Sequence, residues 1–301
     1  MRTSRLPFAL ALLAFAAAPV LAQDSGTLKK IKDSGTITIG FRDASIPFSY
    51  LNDQQQPIGY AMDICSRIVD AVKTKLNMPN IKVNLNPVTS STRIPLMANG
   101  TIDLECGSTT NNAERKKQVD FGLTYFVIKY RYVAKKSSKM DTIADLKGQT
   151  VVSTAGTTDI KALNELNASQ NMGMSILSAN DHPAAFLMVE TGRAKAFLMD
   201  DILLAGLVAT SKNPGEFHIS SATLGLEPYS LMLRRDDPEF KKVVDDAMTK
   251  LYKSGDIEKI YNKWFMSPIP PKNINLNFPI SDSLKKVFAN PTDSADPNDY
   301  K

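Results

Sequence analysis

The stretch Gly35-Thr36-Ile37-Thr38-Ile39-Gly40-Phe41 alternates small or polar residues with apolar ones at the two-residue period of a strand. From Gly59 the period changes. Ala61, Cys65, Ile68, Val72 and Leu76 recur at three- and four-residue steps, with Arg67, Asp70, Lys73 and Lys75 on the other faces, which is an amphipathic helix. Pro79-Asn80 stops it, and Ile81, Val83 and Leu85 then alternate with Lys82, Asn84 and Asn86 as a second strand. Ile94 to Asn99 reads as a short helix closed by Gly100, and Ile102-Asp103-Leu104-Glu105-Cys106 as a third strand. The order β-α-β-α-β implies a mostly parallel sheet covered by helices.

Further along, Thr124 to Val133 is a long apolar and aromatic strand, after which the same alternation restarts. Asp141 reads as an N-cap and Gly148 as a helix stop. Thr150-Val151-Val152-Ser153, Ser175-Ile176-Leu177-Ser178 and Ala196-Phe197-Leu198-Met199 are strands, separated by helices from about Asp159 and near Pro183. A last strand at Tyr229 to Arg234 is followed by helices at about Glu239 to Lys253 and Ile257 to Phe265, which have no sheet of their own and should pack back on the first unit. Ser267-Pro268-Ile269-Pro270-Pro271 reads as an extended clamp. Asn290 to Lys301, rich in Pro, Asp and Asn, reads as disordered.

At the other end, Arg2 and Arg5 precede an apolar run from Leu6 to Val20, too short for a comfortable membrane span, and a small residue, Ala22, before polar Gln23-Asp24-Ser25. This is the order of a secretory signal peptide, residues 1–22, cut after Ala22. Export to an oxidising compartment makes the two cysteines, Cys65 and Cys106, a disulfide candidate. The 301 residues carry a formal charge of +5 without a Lys/Arg run, so no nucleic-acid partner is expected. Two His without ligand spacing predict no metal site, and no cofactor motif is present. Signatures of a nucleophile elbow, a P-loop or a dinucleotide loop are absent as well, so no enzyme is expected, although the plentiful carboxylates leave an acid/base pair open.

Ligands of open α/β sheets bind beyond the carboxyl ends of strands. The residues there are Arg42 after the first strand, Ser90 and Arg93 after the second, Ser108, Thr110 and Arg115 after the third, and then Thr158, His182 and Asp200 in the second unit. Hydroxyls and helix-start amides hold anions, arginine forks a carboxylate, and a strand-end Asp suits an ammonium. Together they describe a zwitterion site with surplus positive charge.

The runs Ile46-Pro47-Phe48-Ser49-Tyr50, Ile58-Gly59-Tyr60-Ala61-Met62-Asp63-Ile64, Arg93-Ile94-Pro95-Leu96-Met97-Ala98-Asn99-Gly100 and Cys106-Gly107-Ser108-Thr109-Thr110-Asn111-Asn112-Ala113-Glu114-Arg115 resemble the polar amino-acid-binding proteins of bacterial ABC importers, and within them the glutamate/aspartate-binding branch. Asp141 to Thr158, Met199 to Gly206 and the Pro268 to Asn273 tail match too, so the likeness spans nearly the whole chain after residue 22. The resemblance implies a type II periplasmic binding-protein fold: two α/β lobes joined by two hinge strands. Lobe 1 would be 23–128 with 227–289, and lobe 2 129–226. It implies a monomer in the periplasm that takes L-glutamate or L-aspartate and delivers it to a membrane permease. Arg93, with Ser108, Thr110 and Thr158, would grip the α-carboxylate and Asp200 the ammonium. Arg42 and Arg115, with Ser90 and His182, would hold the side-chain carboxylate, and Phe48 would pack on the ligand's methylenes. Ser230 departs from the pattern, since some relatives carry Cys there; Cys65 would be the partner of Cys106 here. Rival readings are an exported enzyme on the same fold, such as a cyclohexadienyl or arogenate dehydratase, the sensor lobe of a receptor, and a binding module for another anion.

Overall fold

The computed structural model describes residues 26–301. The signal peptide read over residues 1–22 lies outside them. The described chain opens with helix α1 (Thr27–Ser34), ended by Gly35 in the left-handed region, and strand β1 (Thr36–Phe41). A small three-stranded ribbon follows, β2 (Ala44–Ser45), β3 (Ser49–Leu51) and β4 (Pro57–Ile58), then helix α2 (Tyr60–Leu76). Strand β5 (Lys82–Pro87), helix α3 (Arg93–Ala98) and strand β6 (Leu104–Cys106) complete the first unit. β1 pairs in parallel with β5 and with β6, as the alternating pattern required.

Strand β7 (Asp120–Lys135) is longer than its sequence signal, because its two halves serve different partners. The second unit contains β8 (Thr150–Thr154), α4 (Thr158–Ser169), β9 (Ser175–Ala179), α5 (His182–Glu190), β10 (Ala196–Asp200), α6 (Asp201–Thr210) and β11 (Phe217–Ile219). The return strand β12 (Leu226–Leu233) precedes α7 (Pro238–Ser254), α8 (Asp256–Phe265) and α9 (Asp282–Ala289). Hydrogen bonding orders the main path as β5-β1-β6-β12-β7-β10-β8-β9, with β11 also on β7. The front half of β7 runs antiparallel to β12 and its rear half antiparallel to β10 and β11. β7 and β12 therefore lie side by side where the two units meet.

As the sequence required, α7 and α8 pack on α2. The junction is filled by rings: Phe48 meets Phe126 at 4.9 Å and Tyr229 at 5.2 Å, both edge-on, and Phe126 stacks on Phe265 at 5.1 Å. Such pairs add about 0.5–1.5 kcal/mol each beyond area burial. Phe48 is completely buried in this cluster. It is a core residue, contrary to the expectation that it contacts ligand.

Two further expectations are corrected. Asp141 is not an N-cap. Thr142 caps a 3₁₀ turn, Ile143–Leu146, in a capping box with Asp145, while Asp141 accepts hydrogen bonds from Ser221 and pairs with His218 Nε2 at 2.8 Å. The ring Asp141 faces is too distant in sequence for local reading. Residues 290–301 are not disordered. Thr124 N donates to Thr292 O at 2.8 Å, Asn111 Nδ2 to Asp293 O at 2.9 Å, and buried Tyr300 shares a 2.8 Å bond with Thr124 Oγ1. A polar composition failed to signal order here because the anchor is one aromatic ring and a docked backbone. Finally, α1, the small ribbon, β11 and α9 carry too few periodic residues to be read in advance.

Cys65 in α2 and Cys106 at the end of β6 form a disulfide, with Cα atoms 6.3 Å apart. The bridge pins the strand end from which Ser108, Thr109 and Thr110 emerge.

Candidate functional site

Each site residue stands where an element begins or ends. Arg42 follows β1, Ser90 lies in the turn after β5, and Arg93 opens α3. Ser108 and Thr110 follow β6, and Arg115 opens a 3₁₀ turn, Arg115–Lys117. In the second unit Thr157 caps α4 by accepting from Ile160 N, so Thr158 is that helix's first residue. His182 is the first residue of α5, and Asp200 the last of β10. Except for half-buried Thr158, all nine are buried.

Seven of them, Ser90, Arg93, Ser108, Thr110, Thr158, His182 and Asp200, line one tight cavity with about 200 Å³ free of atoms, together with Thr157, Asp159 and Leu203. Arg42 and Arg115 stand just behind its wall. Arg42 Nη2 donates to Ser90 Oγ at 3.0 Å and lies 3.4 Å from His182 Nε2. Arg115 Nη1 donates to Thr110 O at 2.9 Å and Nη2 to Gly156 O at 3.3 Å. Glycine at 156 is required twice over: φ is +74°, and a Cβ would come within 2.7 Å of the Ser91 backbone. A roomier groove, with about 1240 Å³ free of atoms, lies between α2 and α7, but its charges (Arg67, Asp70, Lys75, Asp246, Lys250) are surface groups. Buried polar groups converge only weakly there, and convergence rather than size marks a binding site.

The electrostatics are unusual for a protein interior. Arg93 Nη1 donates to Ser108 O at 2.8 Å and to Thr109 Oγ1 at 2.5 Å, and Thr109 in turn donates to Glu105 Oε2 at 2.6 Å. Burial, and then the neighbouring Arg93 charge, lower the Arg42 and Arg115 guanidiniums to about 10. Burial, and then Arg42 and Arg93, hold the His182 imidazole well below its usual value, so the ring is neutral. Arginine offers only N–H, so His182 Nε2 accepts; the proton then lies on Nδ1, donated to Thr154 Oγ1 at 2.9 Å. Burial raises Asp200 to about 7, with Glu227 and Asp201 acting the same way, against the opposing Tyr229 hydrogen bond and Arg93. Burial, then Asp200 and Glu227, raise Asp159 well above the carboxylate range.

Several buried atoms have unspent hydrogen-bonding capacity: Arg42 Nη1, Arg93 Nε, Ser108 Oγ, Asp159 Oδ1 and Asp200 Oδ1. Such groups cost free energy unless something pairs with them. Apart from Glu105, whose Oε1 is also unspent and which lies behind Arg42 and Thr109, donors gather on the first-unit side and carboxylate acceptors on the second, the layout of a receptor for a molecule with separate anionic and ammonium ends.

This arrangement coincides with a sequence match. Residues 37–267 fit the profile of the bacterial extracellular solute-binding proteins, family 3. The chain belongs to that family. Within family 3, it is 54% identical over 284 residues to the L-glutamate/L-aspartate-binding protein of Pseudomonas aeruginosa, covering 94% of each chain. It is 48% identical over 294 residues to the glutamate/aspartate import solute-binding protein of Escherichia coli K12, covering 95% of this chain and 97% of the relative. Among solved structures it resembles the ancestral amino acid-binding protein AncCDT-1, a precursor of cyclohexadienyl dehydratase, with a TM-score of 0.67 and 27% identity over 80% of this chain and 99% of that one. The fold is therefore the type II periplasmic binding-protein fold of this family 3 protein.

Thr154 and Thr109 stand at the strand ends the sequence pointed to, but their roles, orienting His182 and, with Glu105, Arg93, were not legible there; Glu227, which accepts from Thr158 Oγ1 at 2.8 Å, was missed. Asp159, next to Thr158, and Glu105, inside the run that carried the resemblance, could have been found by asking which strand-end carboxylates face the arginines. Tyr229, whose hydroxyl donates to Asp200 Oδ2, had no such signal, because strand β12 brings it to the site only in three dimensions.

Proposed function

We propose that this chain is the exported solute-binding component of an ABC importer, carrying L-glutamate or L-aspartate in the cavity and handing it to a membrane permease without chemical change. The observation that carries the reading is the set of three buried arginines, Arg42, Arg93 and Arg115, facing the second-unit carboxylate Asp200, while burial pushes its neighbour Asp159 well above the carboxylate range, toward the neutral acid. A neutral amino acid needs one cation and one anion; two surplus guanidiniums call for a second carboxylate on the ligand.

In this reading Arg93, Ser108, Thr110 and Thr158 bind the α-carboxylate, and Asp200 the ammonium. Arg42 and Arg115, with Ser90 and His182, bind the side-chain carboxylate. Neutral His182 receives a hydrogen bond from Arg42 and so keeps that guanidinium aimed without adding a fourth charge. Residues 23–128 with 227–289 form one lobe and 129–226 the other, closing about β7 and β12 by a hinge motion. The family is described as extracellular, which supports export by a signal peptide removed after Ala22. The carrier acts as a monomer in the periplasm.

A dehydratase on the same fold is the second reading, favoured only by the likeness to AncCDT-1. Incubating the protein with L-glutamate, L-aspartate and arogenate, then denaturing it and weighing the recovered small molecules, separates the two. Carriage predicts glutamate or aspartate returned with unchanged mass; loss of water from arogenate would contradict it.

A further inference from the structure

The two oxygens of Asp200 have different fates. Oδ2 accepts the hydroxyl of Tyr229, whereas Oδ1 is buried with no hydrogen-bond partner. Asp200 also occupies the N-cap position of α6 but makes no capping bond to that helix. Its orientation is therefore set from outside the second unit, by a residue of β12. Tyr229 is itself tightly packed. It is fully buried, with its ring edge-on to Phe48 at 5.2 Å and tilted against Phe126 at 6.3 Å. Its backbone bridges Thr110 in an antiparallel pair. One residue thus touches the first-unit wall of the cavity through its main chain and the second-unit carboxylate through its hydroxyl.

We propose that Tyr229 is a positioning residue for ligand binding: its hydroxyl turns Asp200 so that Oδ1 faces the ammonium group of an amino-acid ligand. The inference rests on the reading of Asp200 as the ammonium acceptor. The groups facing Asp200 are Glu227 on β12, Asp201 on α6, Asp159 on α4, Tyr130 on β7 and Arg93 on α3. The carboxylates and burial favour the protonated acid; Arg93 and the Tyr229 hydroxyl favour the anion. Removing the hydroxyl removes one of two forces that keep Asp200 charged. The apparent pKa then rises above about 7, and an ammonium must displace a proton before it can bind. Affinity is lost at and below the raised pKa and recovers above it.

The test compares wild type, Tyr229→Phe and Asp200→Asn by calorimetric titration with L-glutamate between about pH 6 and about pH 9. Wild type is expected to weaken only as pH falls through about 7. Tyr229→Phe keeps the ring and loses the hydroxyl. It should bind about tenfold more weakly near neutral pH, with the deficit closing toward the alkaline end. Asp200→Asn should bind weakly at every pH, with the acid limb gone. Wild-type affinity and profile in Tyr229→Phe would overturn the positioning role. An Asp200→Asn variant that binds like wild type would instead overturn the reading of Asp200. If Tyr229→Phe does not fold, 3-fluorotyrosine placed at position 229 alone strengthens the donor and should move the acid limb to lower pH. An unmoved limb would overturn the proposal.

Discussion

Arg115 joins the two walls of the cavity: its guanidinium donates to Thr110 O at 2.9 Å on one side and to Gly156 O at 3.3 Å on the other. Arg42 is placed differently. Its Nη2 is held by Ser90 and His182, but Nη1 is buried and unspent. The two surplus arginines should therefore fail differently when removed.

Arg42→Ala takes away a guanidinium whose Nη1 has no partner within the protein. Glutamate affinity should fall by roughly a hundredfold, about 2.7 kcal/mol. Without ligand, thermal stability should hold or rise, because a cation opposed first by burial and then by its Arg93 neighbour is gone. Arg115→Ala should cost about tenfold, since two of its N–H groups are engaged with carbonyls of the protein. Isothermal calorimetry and a melting curve on each variant check both statements; unchanged affinity in both would remove the side-chain carboxylate from this end of the site.

Replacing Cys65 and Cys106 by Ser opens a loop of 41 residues' separation. The loss in unfolding free energy should be about 2–4 kcal/mol by urea titration. Affinity should change less than stability, because the bridge anchors the strand end behind Ser108 and neither cysteine lines the cavity. Two free thiols in denatured, unreduced wild type would contradict the bridge.

The C-terminal segment should behave as part of the folded body. Tyr300→Ala empties a buried site and breaks the bonds to Thr124 Oγ1 and Ser294 O. The expected cost is about 3 kcal/mol. Limited proteolysis should leave residues 290–301 attached in wild type and release them in the variant. Rapid trimming of the wild type, with no stability loss in the variant, would restore the disordered reading.

The βαβ units were legible because their signal is local: the switch from a two-residue to a 3.6-residue period at Gly59 needs no tertiary knowledge. So was the set of strand-end residues, since open α/β sheets place ligands there whatever the ligand. What could not be read was anything decided between distant segments. Phe48 sits in a motif that marks the family, yet its side chain goes to the aromatic core. Asp141 carries a capping residue's chemistry but is drawn to Ser221 and His218. Tyr229 reaches Asp200 only because β12 returns beside β7, and Tyr300 is ordered by a groove built from residues far earlier in the chain.

The central claim, that surplus buried arginine selects an acidic amino acid, is tested most directly by calorimetric titration of the wild-type protein, freed of ligand, with L-glutamate and with L-glutamine. The two ligands differ only in the second negative charge. The account predicts tight binding of glutamate, and glutamine weaker by at least about a hundredfold, because a neutral amide leaves Arg42 and Arg115 without an anion. Glutamine bound as tightly as glutamate would contradict it.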